Sequence, residues 1–118
     1  MKSLYNYLKE EKENEVTVWD KTYDMETYFY YEADTSDPWN KAMMDLAKLV
    51  KITEEDDKGV TVDFTELIEK NIDKLKESEL FIRCNVDDIM CDMQNILAGY
   101  VSEKWLVKFV DILKGTQD

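Results

Sequence analysis

Apolar residues recur along this chain with two different periods, which predict two kinds of element. Spacings of three and four residues mark one face of a helix, and alternation at every second residue marks a strand. The first half is predicted to begin with a helix over 3–12, followed by two strands over 16–19 and 25–31 that are joined by a turn over 20–24. A helix from Asp37 to about Val50 comes next. Two further strands over 49–53 and 60–62, joined by a turn over 54–59, complete this half. Because a polar turn separates the strands of each pair, the pattern predicts two β-hairpins.

The second half carries three amphipathic patterns, each preceded by a residue that can begin a helix. Asp63 and Glu66 match a capping box, in which the first side chain and the one three positions later satisfy free backbone N–H groups. Asn85 can cap a fourth helix, which Gly99 ends, and Ser102 can cap a fifth. The second half is therefore predicted to be helical.

This order of elements predicts an α+β fold. We expect a small antiparallel sheet of two hairpins, with amphipathic helices packed on one face and a helical C-terminal half. Residues 80–82 are interpreted either as a short strand or as a buried connector. A short connection joins the helices near 86–98 and 102–114, so we expect these two helices to pack on each other. The chain of 118 residues has one Pro and three Gly, and is expected to form a single domain over 1–118.

The composition argues against several classes of protein. The chain has 27 acidic and 15 basic residues, no histidine, and a net charge of −12. Histidine is the only side chain whose ordinary pKa changes its charge between pH 5 and 8, so the usual Ser-His-Asp and Cys-His nucleophiles are excluded. No apolar run reaches the ~20 residues of a membrane span, and the N-terminus lacks the apolar stretch of a secretory signal. We expect a cytoplasmic protein that is not an enzyme, uses no cofactor and binds no membrane.

Metal and phosphate sites are not expected either. Cys84 and Cys91 would lie about 10 Å apart on one helix, too far for a disulfide, and are expected to be reduced and mostly buried. The acidic segment from Glu54 fails as a calcium loop, since Thr65 stands where the twelfth-position Glu is needed. The chain has no Gly-rich phosphate loop and no basic patch, so direct nucleic-acid binding is not expected.

The negative charge is concentrated between residues 10 and 37, where ten acids accompany two bases and six aromatic residues. If Phe29 and Tyr31 pack in the core, then Glu26, Tyr28 and Tyr30 share the outer face of their strand. Exposed tyrosines beside carboxylates are typical of a protein-binding surface, although a solubilising acidic surface with buried tyrosines is the alternative. The predicted partner-binding residues are Asp20, Asp24, Glu26, Tyr28, Tyr30, Glu32, Asp34 and Asp37.

A second acidic pair lies on the predicted fourth helix. Asp88 and Asp92 are one turn apart and repel each other. This pair indicates either a solvated polar face or an external cation or basic partner.

The chain is short, poor in Gly and Pro and strongly acidic, and it has no recognisable catalytic residues. In this it resembles the small anti-defence proteins of phages and mobile elements, among them anti-CRISPR and anti-restriction inhibitors. The resemblance rests on composition alone, and it implies that carboxylates stand where a nucleic acid would place phosphates.

The sequence therefore predicts a non-enzymatic acidic protein that binds a basic partner and blocks or modulates it. The resemblance implies a nucleic-acid-mimicking inhibitor of a CRISPR nuclease or another DNA-binding defence nuclease. Two alternatives stay open: an adaptor or immunity-type protein with a basic protein partner, and a small metal-dependent hydrolase.

Overall fold

The computed structural model describes residues 3–10, 15–18, 21–24, 36–97 and 99–115. The elements in these ranges are α1 (Leu4–Lys9), β1 (Glu15–Val18), β2 (Lys21–Asp24), α2 (Pro38–Leu49), β3 (Ile52–Glu55), β4 (Gly59–Val62), α3 (Thr65–Ser78), α4 (Val86–Leu97) and α5 (Glu103–Lys114). The predicted α+β class is confirmed. The chain divides into two compact units, Met1–Asp63 and Phe64–Asp118. A single domain over 1–118 stays a prediction.

The sheet of the first unit is mixed, with the strand order β2-β1-β4-β3. Each hairpin is antiparallel, but the inner strands β1 and β4 run parallel, with Val16 opposite Val60 and Val18 opposite Val62. The prediction of an antiparallel sheet is therefore wrong at the central pairing. Parallel neighbours need a long crossover connection, and the chain between β1 and β4 supplies one that contains α2.

The first hairpin turns earlier than predicted. Its second strand is Lys21–Asp24, which the sequence pattern assigned to a turn, and Lys21 pairs with Val18. Two residues thus separate the paired strands, the commonest length for a hairpin connection. The predicted return strand over 25–31 lies outside the described residues.

The first unit buries one face of its sheet and one face of each helix. The buried strand residues are Val16, Val18, Ile52, Val60 and Val62, and Thr17, Thr22 and Thr61 alternate with them on the other face. Asp37 accepts a hydrogen bond from the Trp39 backbone N–H at 2.9 Å, so α2 begins as predicted. The first helix ends at Lys9, earlier than predicted, and buries Leu4, Tyr7 and Leu8.

In the second unit, α3 is the helix against which both α4 and α5 pack. Among the described residues, the direct contact between α4 and α5 is weaker than either of these. We expected these two helices to pack on each other, and their stronger contacts are instead with α3. A short connection brings two helix ends together but does not decide which neighbour buries their apolar stripes.

Two helix starts in this unit can be compared with the caps predicted from the sequence. Ser102 caps α5 as predicted, since its hydroxyl accepts from the Trp105 N–H at 3.1 Å. Helix α3 begins at Thr65 with Phe64 at its N-cap position, one residue later than expected for a helix capped by Asp63. Phe64 is almost completely buried. Packing of the Phe64 ring therefore contributes to the start of α3, and the capping box at Asp63 and Glu66 stays a prediction.

Candidate functional site

Two of the eight predicted partner-binding residues lie in the described ranges. Asp24 is exposed at the end of β2. Asp37 is exposed too, but one of its oxygens is engaged by the start of α2. The other predicted residues, which lie outside the described ranges, are Asp20, Glu26, Tyr28, Tyr30, Glu32 and Asp34. The structure thus places Asp24 on the sheet and gives Asp37 a capping role.

In addition to Asp24, the polar face of the sheet carries two exposed carboxylates that the sequence did not single out. The strand register sets Glu15 opposite Asp24 and Glu54 opposite Thr61, and all three carboxylates are exposed. Side chains alternate along a strand, so these residues lie on the face away from the buried valines. We name as the sheet face the surface formed by Glu15, Thr17, Thr22, Asp24, Glu54 and Thr61.

A depression of about 560 Å³ lies on this sheet face. Its charged lining residues are Glu15, Glu54, Glu55, Asp56 and Lys58. The hydroxyl oxygens of Thr17 and Thr22 lie 3.2 Å apart on the same surface and share a hydrogen bond. The depression therefore has more carboxylates than cations, with neutral hydroxyl groups between the strands.

Asp56 belongs to this lining but also organises the turn from β3 to β4. Its Oδ1 accepts hydrogen bonds from the backbone N–H groups of Lys58 at 2.8 Å and Gly59 at 3.0 Å. An aspartate that bonds the backbone two residues ahead is a common turn former. Asp56 is therefore committed to the turn, while the carboxylates of Glu15, Asp24 and Glu54 are exposed on the sheet face.

A second cavity, of about 680 Å³, lies within the second unit, between α4, α5 and the connection after α3. One face of α4 lines it, with residues Asp88, Cys91, Asp92, Asn95 and Ile96 at helical spacing. The remaining lining residues are Leu80, Phe81, Ile82, Arg83, Tyr100, Val101 and Trp105. We name this cavity the helical groove. It exists because α4 and α5 pack on α3 rather than closely on each other.

Aromatic rings form the floor of the helical groove. Phe81 meets Trp105 edge-on with ring centroids 5.3 Å apart, and Trp105 stacks on Phe109 at 5.1 Å. The Trp105 indole N–H donates to the Leu80 carbonyl oxygen at 3.2 Å. These contacts hold the connection after α3 against α5. Residues 80–82 form neither a strand nor a buried connector, since Ile82 is fully exposed.

The rim of the helical groove exposes two large apolar side chains, Ile82 and Tyr100, the latter 80% exposed. Tyr100 is placed by the end of α4. Gly99 has a φ of 81°, its N–H donates to the Ile96 carbonyl oxygen at 3.2 Å, and the Tyr100 N–H donates to the Asn95 carbonyl oxygen at 2.9 Å. This is a Schellman motif, for which glycine is the preferred residue. The prediction that Gly99 ends this helix is confirmed.

The charged residues of the groove lie on two sides. On α4, the Asp88 N–H donates to Asn85 Oδ1 at 2.9 Å and Asn85 Nδ2 donates to Asp88 Oδ2 at 2.6 Å, so Asn85 caps the helix as predicted. Asp92 follows one turn later and is exposed. Arg83 lies in the connection before α4 and is exposed as well. In the sequence, the repulsion between Asp88 and Asp92 was the one feature that indicated a charged face on α4, and this face lines the groove.

Both cysteines are free, as predicted, but they are less buried than expected. Cys84 precedes α4 and is half-buried, while Cys91 lies on α4 and is exposed in the groove. Burial raises the pKa of the Cys84 thiol, and the nearby charge of Lys76 lowers it in part. The two thiols therefore differ in their access to solvent, and burial makes the Cys84 thiol less acidic than an ordinary thiol.

The geometry is the only guide to the role of these surfaces. No family model, curated protein or solved structure matches this chain. Within the described ranges, no three His, Cys, Asp or Glu side chains gather in a way that could hold a metal ion. No helix in the described part of the chain is long and apolar enough to cross a membrane.

Proposed function

We propose that this protein is a non-enzymatic binding protein whose sheet face docks on a basic region of a partner protein. The observation that carries this proposal is the set of exposed carboxylates Glu15, Asp24 and Glu54 on one face of the sheet, with a depression on the same face whose charged lining is four acids and one lysine. Like charges directly opposite each other destabilise a sheet, and Glu15 and Asp24 are such a pair. Lysine or arginine side chains of a partner would offset that repulsion.

The strands make this surface suited to binding. Carboxylates on paired strands hold their backbone positions before the partner arrives, so less ordering entropy is lost on association than with a loose loop. The net charge of −12 adds long-range attraction, which raises the association rate with a basic partner.

The sign of the charge suits a partner that normally binds nucleic acid. A protein groove built for phosphates carries Lys and Arg side chains, and carboxylates fixed on a sheet offer these cations another negative partner. We propose that the partner is a DNA-binding enzyme, such as a defence nuclease, and that docking blocks its access to DNA.

This proposal can be tested by capture and competition. The protein is immobilised and incubated with a nuclease-treated lysate of a bacterium that carries a DNA-targeting defence nuclease. We expect basic proteins to be retained and then released by short double-stranded DNA, and we expect the free protein to inhibit their binding to DNA. Retained proteins that DNA does not release would contradict mimicry and would favour an adaptor or immunity-type role. Lack of any retained protein would contradict binding through charge.

A further inference from the structure

We propose that the helical groove is a second docking site, which receives a short amphipathic, basic helix of a partner protein. Apolar side chains of this helix enter between α4 and α5, and its Lys or Arg side chains lie along the acidic wall of α4. The inference uses only residues of the second unit and does not depend on the sheet face.

The apolar part of the argument comes from the rim and the floor. Large apolar side chains on a protein surface, when grouped, mark interaction sites, and here Ile82 and Tyr100 stand exposed at the same cavity. Beneath them, Phe81 and Trp105 offer aromatic surface in contact with one another. Aromatic residues are enriched where binding energy is concentrated in protein interfaces. A partner that covered this groove would remove both exposed side chains from water.

The shape of the α4 wall selects a helical occupant. From Asp88 to Ile96 the wall runs eight residues, or about 12 Å at 1.5 Å per residue. An amphipathic helix in a groove is anchored by residues at positions i, i+3 or i+4, and i+7, which span about the same length. The groove therefore matches two turns of a helix with a continuous apolar stripe.

The charges select a basic occupant over other helices. Asp88 and Asp92 lie on the α4 wall one turn apart, where an occupant with Lys or Arg at the same spacing would pair with both. Arg83 also lines the groove, in the connection before α4, so the basic side chains of the occupant are favoured beside Asp88 and Asp92 rather than beside Arg83. A second copy of this chain would bring another net charge of −12, and an acidic segment would meet the same repulsion.

The probe for the test is a synthetic 14-residue helix of Leu and Lys with leucine along one face. Two peptides serve as controls: one has the same composition in an order without an apolar face, and the other replaces Lys with Glu. Cys91 lines the groove and reports occupancy through its rate of alkylation, while Cys84 lies outside the lining and serves as an internal reference. Fluorescence anisotropy gives the Kd of the Leu/Lys peptide. At a peptide concentration of ten times this Kd, about nine-tenths of the grooves are filled, so Cys91 alkylation should slow about tenfold.

Substitutions separate the groove from general charge attraction. Asp92→Lys should weaken peptide binding about tenfold, because it removes an attraction and adds a repulsion. Its matched control is Asp73→Lys, an exposed residue of α3 outside the groove, which changes the net charge equally. The double variant Ile82→Ser, Tyr100→Ser should also weaken binding, and because both residues are exposed it should keep its fold.

Three results would overturn the inference. They are equal weakening by the Asp92 and Asp73 substitutions, binding without protection of Cys91, and equal binding of the peptide that lacks an apolar face. Protection of Cys91 that increases with protein concentration alone would show that a second copy fills the groove, and would overturn it as well. Because the sheet-face substitution Glu15→Lys should leave peptide binding unchanged, failure here and failure of the proposed function can be told apart.

Discussion

At the scale of single residues, Gly59 shows how closely the two hairpins of the sheet approach each other. A Cβ atom at this position would meet the Glu15 backbone carbonyl oxygen well inside van der Waals contact. We therefore predict that Gly59→Ala destabilises the fold by about 1–3 kcal/mol, the usual cost of overpacking, measured by urea unfolding. Gly115→Ala is the control, because the nearest atoms there lie 3.6 Å away and the residue has helical dihedral angles. Equal effects of the two substitutions would contradict the close parallel pairing of β1 and β4.

The two thiols give a second residue-scale prediction. Cys91 is exposed, whereas burial raises the pKa of the half-buried Cys84 thiol, so less reactive thiolate is present there at neutral pH. Cys91 should therefore be alkylated first at pH 7.5. The rate at Cys84 should keep rising with pH beyond the ordinary thiol pKa, because its folded-state pKa is the higher one. Mass spectrometry of partly labelled protein measures both rates, and faster labelling of Cys84 would show that its burial is wrongly assigned.

The helix caps show what adjacent residues determine. Asp37, Asn85 and Ser102 could be predicted because each accepts a hydrogen bond from an N–H two or three positions ahead. At α3 the helix start lies one residue later than a cap at Asp63 predicts. There the buried ring of Phe64 lies at the helix start, and its burial depends on distant parts of the chain rather than on its neighbours.

At the scale of elements, the fully buried residues of the apolar stripe of α5 should contribute most to the stability of the fold. This stripe contains Leu106, Phe109, Val110 and Leu113. Phe109 is 0% exposed and stacks on Trp105, which is only half-buried. We predict that Phe109→Ala costs about 3–5 kcal/mol of unfolding free energy and that Trp105→Ala costs less. Lys104→Ala, at an exposed position of α5, should change it by less than about 0.5 kcal/mol. A loss at Phe109 as small as that at Lys104 would show that the stripe is misplaced.

Periodicity predicted the elements better than it predicted how they join. Alternation in Val16–Val18 and Val60–Val62 indicated strands, because one side of each is buried. The parallel register between these two segments was missed, since nothing in either one encodes which distant strand it pairs with. The early start of β2 at Lys21 was missed for a related reason: pairing opposite Val18 outweighs the turn-like composition of 20–24.

At the scale of the whole molecule, the absence of histidine should give a flat stability profile near neutral pH. No side chain in this composition has an ordinary pKa between about 6 and 8. The raised pKa of Cys84 moves that group further above this range. We predict that the unfolding free energy from urea titrations at pH 6, 7 and 8 stays constant within about 0.5 kcal/mol, because the folded and unfolded states lose nearly the same number of protons over this range. A steep change near pH 6.5 would reveal a strongly perturbed carboxylate and would favour enzymatic chemistry.

The sequence predicts that the protein has an acidic surface, but it does not predict which residues come together on that surface. The excess of acids pointed to a binding surface, and Asp24 was identified because it lies in the densest acidic segment. Glu15 lies in that segment too, but its place beside Asp24 follows from the hairpin register. Glu54 joins the same surface only through the parallel pairing of β1 and β4. The helical groove depends on α4 and α5 both packing on α3, which no local pattern shows.

The central claim is that the negative charge acts through the sheet face rather than through the net charge alone. The association rate and affinity of the captured partner are measured for three proteins: the unchanged chain, a sheet-face variant and an α3 control. The variant carries Glu15→Lys, Asp24→Lys and Glu54→Lys, and the control carries Glu69→Lys, Asp73→Lys and Glu77→Lys at exposed positions of α3, which is the same change of net charge. Both are first confirmed to be folded by circular dichroism.

Salt is the second variable in this measurement, since the screening length falls from ~10 Å at 0.1 M to ~3 Å at 1 M. We predict that the unchanged chain binds more slowly and more weakly as salt rises, that the sheet-face variant loses most of its affinity at every salt concentration, and that the α3 control keeps most of it. Equal losses in the two variants, or binding that is indifferent to salt and to both sets of substitutions, would contradict the claim.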